Sequence, residues 1–512
     1  MTERSRVVLA LLLLLSLGVL LRVAHWNPGE ASDDSNYMNY AAQMLLGEPP
    51  PQNIHSVRFG YILFLAAGMR LFGTTTFVCQ ALGIGVFVAT ALLLFDITRR
   101  LSASREGLLA VVLFVLLPLD VVRSTCVSPD GLMTSLVLTA SLLYLLAKIE
   151  ASGARQFGLG IGAGLALGCA VSVKEPAVIA GLAIAADLLF TTRNRSGLAI
   201  FFGMAMGGLA VLGLESLGFF AWTGDPLFRI QHTSDYVSSG GSFSLKNSFD
   251  LHHALFYLRH ASNSWDQYGV HGYLLLVGAL LAINRRSKSA VFPLVFCGVV
   301  AAYLSVGTIS LSRYVQIWQQ PRYFHVVLVM GCVFAAIELL VLARHLKLKP
   351  IIVTVAGVGL FAVSLWAAKE TDWRGTVPVA NWLGELDDRR KADFVVLETF
   401  AQRQALEHRQ VVAAWPTISD DATHSSKLVA NALAGRGLVV DQFSFDRENL
   451  QEVELRLTSD TEVTFRYQEI QGDSWPPYKQ WIGIGEQESV IGRIWWLASN
   501  LETPAGGSRR PK

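Results

Sequence analysis

The stretch "VVLALLLLLSLGVLLRVAHWNPGEASDD", residues 7–34, decides the fold. Its first part, through Ala24, is an apolar run of the length that crosses a bilayer, about 17–25 residues. Arg4 and Arg6 precede it, as in a signal peptide, but no small-residue A-x-A cleavage pattern follows. The sequence therefore predicts an uncleaved first transmembrane helix. Directly behind it stands an acidic pair, Asp33 and Asp34.

Composition agrees with a membrane chain. Of 512 residues, 52% are hydrophobic and 16% charged, against about 25% charged in a soluble protein. The net charge of +2 is too small to point to nucleic acid. The five cysteines fall mostly in apolar runs and none lies beyond Cys332, which excludes a disulfide-stapled C-terminal domain.

About 11 candidate spans are expected, at 6–24, 77–97, 107–123, 131–148, 157–173, 176–191, 198–221, 271–284, 290–308, 323–342 and 350–368. Basic loops alternate with loops poor in Lys and Arg. "TRRLSASR" follows the second span, "TTRNR" the sixth, "NRRSK" the eighth and "ARHLKLK" the tenth. By the positive-inside rule these loops are cytoplasmic. The Asp33–Asp34 loop, "RSTCVSPDG", "SVKEP", the 222–270 loop and "SRYVQIWQQPRYF" then face outward. Residues 58–73 are apolar but short and carry Arg70, which suits an interfacial or re-entrant helix.

The fold expected is an α-helical polytopic membrane domain over residues 1–368, with interfacial helices in its first outer loop. Residues 369–503 alternate β-rich pieces ("FVVLE", "VVAAWP", "GLVVDQF", "EVTFRYQEI") with helix-like ones ("TFAQRQALEHR", "SSKLVANALAGRG"). They read as a small soluble α/β or α+β domain, placed outside by the odd number of spans, with a disordered tail at 504–512.

The candidate chemistry sits in the outward loops. From Asp33 onward, Tyr37, Tyr40, Ala41, Met44 and Leu45 form one helical stripe. An acid at such a helix start also serves as a plain cap. Arg58 is the only Lys or Arg between Arg22 and Arg70. It suits a lipid-headgroup anchor or a phosphate ligand, since a guanidinium can hold phosphate oxygens in pairs. Asp130 stands at the start of the fourth span, as cap or as site residue. Lys174 and Glu175 interrupt apolar runs, where charge is costly and often functional, with a local ion pair as the alternative. Arg322 and Tyr323 open the tenth span on the side that the positive-inside bias denies to Arg. His252, His253, His260 and His271 match no standard zinc spacing, so no metal site is expected. No nucleotide-binding glycine motif or G-x-S-x-G occurs.

An acidic pair after the first span, a cation opening an apolar helix that ends in "LFG", then "SPD", "KEP", "TGDPLF" and "PRYF" follow in this order. Over roughly residues 1–345 this arrangement resembles the GT-C superfamily of integral-membrane glycosyltransferases. The similarity is greatest to bacterial relatives of dolichyl-phosphate-mannose–protein mannosyltransferases and of the lipid A aminoarabinose transferase. The resemblance implies a polyprenyl-phosphate-sugar donor and a protein, lipid or glycan acceptor. It also implies action on the outer face of the plasma membrane, in cell-envelope or protein glycosylation. By resemblance Asp33 is the catalytic acid of the pair with Asp34, and Tyr37 is the aromatic residue that follows it. Arg58 takes the place of a basic residue that usually precedes prolines, although "RFG" stands here instead. Asp130, Lys174 and Arg322 fall at further motif positions. Tyr323 is grouped with Tyr37 and Asp130 as substrate-binding; Arg58, Lys174 and Arg322 are grouped as ligands of the donor phosphate.

The expected reaction is a single inverting displacement. Asp33 would accept the acceptor's proton, cations would hold the leaving phosphate, and no cofactor is needed. A lipid-linked-sugar transporter or flippase is the alternative. No internal repeat is found, and the ionisable residues lie at span ends rather than at midplane.

Overall fold

The computed structural model describes residues 2–25, 33–48, 55–191, 195–238, 255–263, 268–308 and 321–371, together with five strands nearer the C-terminus. The chain packs as two compact units. One comprises residues 1–26 and 37–372; the other comprises residues 27–36 and 373–512.

The first unit is helical. Helix α1 (Glu3–Ala24) starts at Thr2, whose side chain accepts from Ser5 N and closes the first turn. In the loop after it lie α2 (Asp33–Leu46) and α3 (Phe59–Phe72). Tyr37, Tyr40 and Ala41 of the α2 stripe are buried. Then come α4 (Thr76–Leu101), α5 (Ser104–Val115), α6 (Pro118–Arg123), α7 (Pro129–Ile149), α8 (Gly153–Val173), α9 (Ala177–Thr191) and α10 (Arg195–Thr223). Helices α11 (Phe228–Ser238) and α12 (Phe256–Asn263) occupy the 222–270 loop. Helices α13 (His271–Arg285), α14 (Val291–Val306), α15 (His325–His345) and α16 (Pro350–Thr371) complete the unit. Among the described residues seven helices are long and apolar enough to cross a membrane: α1, α4, α7, α8, α10, α14 and α15. The expected spans at 176–191 and 271–284 form shorter apolar helices, 350–368 lies within α16, and the third is broken.

That third segment, 107–123, was expected as one span and is two helices. Pro118 has no N–H to donate and its ring displaces the preceding turn, so α5 stops at Val115 and α6 restarts at Pro118. The break frees backbone carbonyls that cannot stay bare inside a membrane domain. Arg22 Nη1 donates to Val115 O at 3.3 Å, and His271 Nε2 donates to Leu113 O at 2.8 Å.

Helices α8 and α10 pack at backbone distance. A Cβ on Gly164 would stand 2.1 Å from Met204 O, and one on Gly207 would stand 2.3 Å from Ile161 O. Small residues permit this approach, which brings Ser172 of α8 within 2.8 Å of Glu215 of α10.

In the second unit the described strands are β1 (Phe394–Leu397), β2 (Ala413–Trp415), β3 (Gly437–Asp441), β4 (Phe465–Asp473) and β5 (Glu488–Leu497). They form one mixed sheet in the order β2-β1-β3-β5-β4. β1 is parallel to β2 and β3; β5 is antiparallel to β3 and β4, with an irregularity at Ile470/Gln471. The first four strands fall on the four β-rich pieces. The fifth, "ESVIGRIWWL", was not expected. The helix-like pieces and the tail lie outside the described residues.

Candidate functional site at one end of the helical unit

Three separate elements bring cations to one place. Helix α8 ends at Lys174, whose extended backbone (φ −160°, ψ 131°) and following Pro176 turn the chain into α9. Helix α7 begins beside it, so Lys174 Nζ meets Asp130 Oδ1 at 2.5 Å, and both residues are buried. Ser128 Oγ donates to Asp130 Oδ2 at 2.9 Å. Lys174 Nζ also lies 4.3 Å from the centre of the Tyr323 ring. Tyr323 and Arg322 belong to the short 3-10 turn Pro321–Phe324 that leads into α15. Arg58 precedes α3 and lies over the Tyr37 ring, 5.5 Å from its centre.

Electrostatics tie these groups together. Lys174 is pulled down to about 8, first by burial and then by Arg58 and Arg322, against the pull of Asp130. Arg58 and Arg322 thus both lie within charge–charge reach of Lys174, the third expected phosphate ligand. Three crowded cations favour an arriving anion.

Behind them lies a supporting layer in which Glu175 was singled out from the sequence, but Arg229 and Glu215 were not. Glu175 lies 3.9 Å from Arg58 and 3.4 Å from Arg229. Burial alone would raise its carboxyl, but Arg58 and then Arg229 outweigh that and hold it below its usual range. Arg229 grips both oxygens of Glu215 at 2.8 Å and donates to Val171 O at 2.7 Å. Glu215 interrupts the apolar α10, and a carboxylate inside a span is a legible sign of a partner. That the partner would be Arg229 was not legible.

A second buried network adjoins the first. Arg22 pairs with Asp120 through Nη2 and through Nε at 3.1 Å, while its guanidinium stacks 3.4 Å from the Phe87 ring centre. Asp120 Oδ1 meets His325 Nε2 at 2.8 Å, and His325 Nδ1 meets Thr134 Oγ1 at 3.0 Å. Arg22, Asp120 and His325 were not expected as site residues. Asp120, in the third expected span, carried the same sequence signal as Glu215. An open cleft runs between the two networks. Asp120, Arg123, Asp130, Arg322 and His325 line its polar side, and Tyr61, Phe64 and Phe87 its apolar side. Such a mixed lining, polar groups converging beside an apolar wall, suits a ligand with a charged head.

Tyr37 is buried. It meets Tyr61 edge-on at 5.1 Å between ring centres and lies 3.4 Å from His55 Nδ1 through its hydroxyl. The structure therefore assembles Tyr37, Arg58, Asp130, Lys174, Arg322 and Tyr323. Asp33 and Asp34 open α2, one helical turn before Tyr37, and their side chains lie outside the described residues. Of the four histidines, His252 and His253 lie outside them too, and His271 is engaged with the α5 break. Among the described residues no three His, Cys, Asp or Glu side chains converge as a metal cage would require.

The family model of dolichyl-phosphate-mannose-protein mannosyltransferases matches residues 57–215. Comparison with curated proteins gives no match. Among solved structures, the chain is similar to an Archaeoglobus fulgidus oligosaccharyltransferase in complex with zinc and sulfate. The TM-score is 0.57 at 14% identity, covering 87% of this chain and 70% of that one. It is similar to ArnT from Cupriavidus metallidurans in the apo state, with TM-score 0.54 at 13% identity, covering 96% and 98%. For ArnT bound to undecaprenyl phosphate the values are 0.51, 14%, 97% and 99%. At these identities the likeness is one of fold. With the family match, it shows the resemblance to GT-C membrane glycosyltransferases and a multi-pass membrane protein.

Proposed function

We propose that this chain is a glycosyltransferase that moves a sugar from a polyprenyl-phosphate donor to a hydroxyl or amine of a protein, lipid or glycan acceptor. One observation carries the reading. Arg58, Lys174 and Arg322 come from three distant parts of the sequence, and Arg58 and Arg322 both act on the buried Lys174. Arg322 lines the cleft itself, Lys174 is paired with its Asp130, and all three stand at the end of the helices opposite the basic loops. A donor of this class carries a phosphate at headgroup depth, where such cations can receive it. The ArnT structure with undecaprenyl phosphate and the likeness to the mannosyltransferase family support this choice of ligand.

In the proposed step the acceptor oxygen or nitrogen attacks the anomeric carbon as the bond from that carbon to the phosphate oxygen breaks. The electron pair leaves with the lipid phosphate, which becomes a monoester with a second pKa of about 6. A leaving group this acidic needs cations more than a proton donor, and Arg58, Lys174 and Arg322 supply them. Asp33 takes the acceptor's proton, with Asp34 beside it. Tyr37 supports Arg58 from beneath, while Asp130 and Tyr323 hold Lys174 in place. A single displacement inverts the anomeric centre, and no metal takes part. The site faces the outside of the plasma membrane, the periplasm where there is one.

The test is transfer in proteoliposomes supplied with a polyprenyl-phosphate sugar. Asp33→Asn should lower turnover at least about 100-fold, the scale of a lost general base, while lipid-phosphate binding persists. Full turnover in that variant would overturn its role. Movement of the lipid-linked sugar across the bilayer without any glycosidic product would favour the transporter.

A further inference from the structure

The inference concerns Glu175 and rests on the lipid-phosphate reading above. Lys174 and Glu175 are neighbours on the turn from α8 to α9, yet they face different partners. Lys174 is buried against Asp130. Glu175 is about a third exposed, at 34%, and stands between Arg58 and Arg229. Its two sides differ. Arg229 is a fixed post, held by both oxygens of Glu215 and by Val171 O. Glu215 is held in turn by Ser172. Arg58 is loosely engaged. Its distance to Glu175 is 3.9 Å, beyond hydrogen bonding, and its Nε has no hydrogen-bond partner among the described residues.

We propose that Glu175 is a built-in anion that occupies Arg58 while the site is empty and yields it to the donor phosphate. Arg229 is the positioning residue that keeps the displaced carboxylate. With phosphate bound, Arg58 exchanges its long contact with Glu175 for charge-assisted hydrogen bonds to phosphate oxygens. Glu175 then remains on Arg229 alone. After transfer the lipid phosphate leaves with one more negative charge than it brought. Glu175 repels it and reclaims Arg58, which speeds release. The pair thus sets the affinity for the phosphate without touching the reacting carbon.

The test measures binding of a sugar-free polyprenyl phosphate in detergent, with turnover and thermal stability in parallel. Removing the competing charge in Glu175→Gln should tighten binding about three- to tenfold and lower kcat where release is slow. Glu175→Asp keeps the charge and should bind as the native chain does. Arg229→Gln frees Glu175 to hold Arg58 and should weaken binding by a similar factor. The double variant should return to the affinity of Glu175→Gln, because without the carboxylate Arg229 has nothing to restrain. If Arg229→Gln does not fold, Glu175→Gln and Glu175→Asp against the native chain decide the matter.

A purely structural Glu175 predicts something else: Glu175→Gln lowers both stability and affinity. Unchanged or weaker binding in a folded Glu175→Gln overturns the proposal. Loss of the underlying reading has a separate signature, since Arg58→Gln would then bind the lipid phosphate as well as the native chain does.

Discussion

The two ends of the helical unit handle charge differently. At the basic end, among the described residues, the buried carboxylates pair singly with cations. Glu106 meets Arg344, Glu338 meets Arg285 at 3.1 Å, and Asp187 meets Lys148 at 2.7 Å. These cations reach water, with side-chain exposures of 59%, 42% and 23%. At the other end Lys174, Arg58 and Arg229 are exposed by only 4%, 13% and 15%. There Asp130 faces Lys174 and Arg322, Glu175 faces Arg58 and Arg229, and Arg229 reaches Glu215 as well. A half-exposed pair costs little to keep and anchors one helix to another. Buried charges are costly to hold unless they are paired, so a shared network of this kind responds to an added charge. The first end is made of closed pairs, and the second is a shared network on which the proposed donor phosphate would act.

Three measurements distinguish the two ends. The largest effect is on pH dependence. Lys174 loses its proton as pH rises through about 8, so kcat/KM for the donor should fall about tenfold per pH unit above that value. Lys174→Arg keeps its charge and should flatten the fall. Stability should move the other way. The unfolded chain holds the Lys174 proton up to its ordinary 10.5, so between about 8 and 10.5 stability rises with pH. A parallel decline of both would show that Lys174 acts only through folding.

A smaller effect is expected from Tyr37→Leu, which removes the ring 5.5 Å from the Arg58 guanidinium. A contact of this kind is worth about 0.5–1 kcal/mol at an exposed site and about 2 when desolvated. Donor affinity should fall about three- to fivefold. The smallest effect on function belongs to the basic end. Glu338→Gln should leave turnover within about twofold and lower stability by about 1.5–3 kcal/mol, as for a hydrogen bond to a charged group.

Much of this was legible in the sequence, for physical reasons. Apolar runs must be long to cross a bilayer, and basic loops mark one side. Each expected span therefore fell on helix, and Arg58, Asp130, Lys174 and Arg322 could be sorted to one side before any coordinates. Individual pairings were not legible. Asp120 and Glu215 announced themselves as acids in apolar helices, but Arg22 and Arg229 lie 98 and 14 residues from them, and sequence distance does not encode contact. Pro118 signalled a break in 107–123 that the apolar pattern concealed. Strand β5 was missed although "VIGRIWW" is rich in β-formers, because its partners β3 and β4 precede it and fix it only in three dimensions.

The most direct measurement sets one cation from each end against the other. Affinity for a polyprenyl phosphate is compared in Arg58→Gln and Arg344→Gln, both folded by thermal unfolding. The account predicts a loss of about 10- to 100-fold for Arg58→Gln, the scale of its charge-assisted hydrogen bonds, and a change within about twofold for Arg344→Gln. Equal affinities in the two variants, or a greater loss in Arg344→Gln, would contradict it.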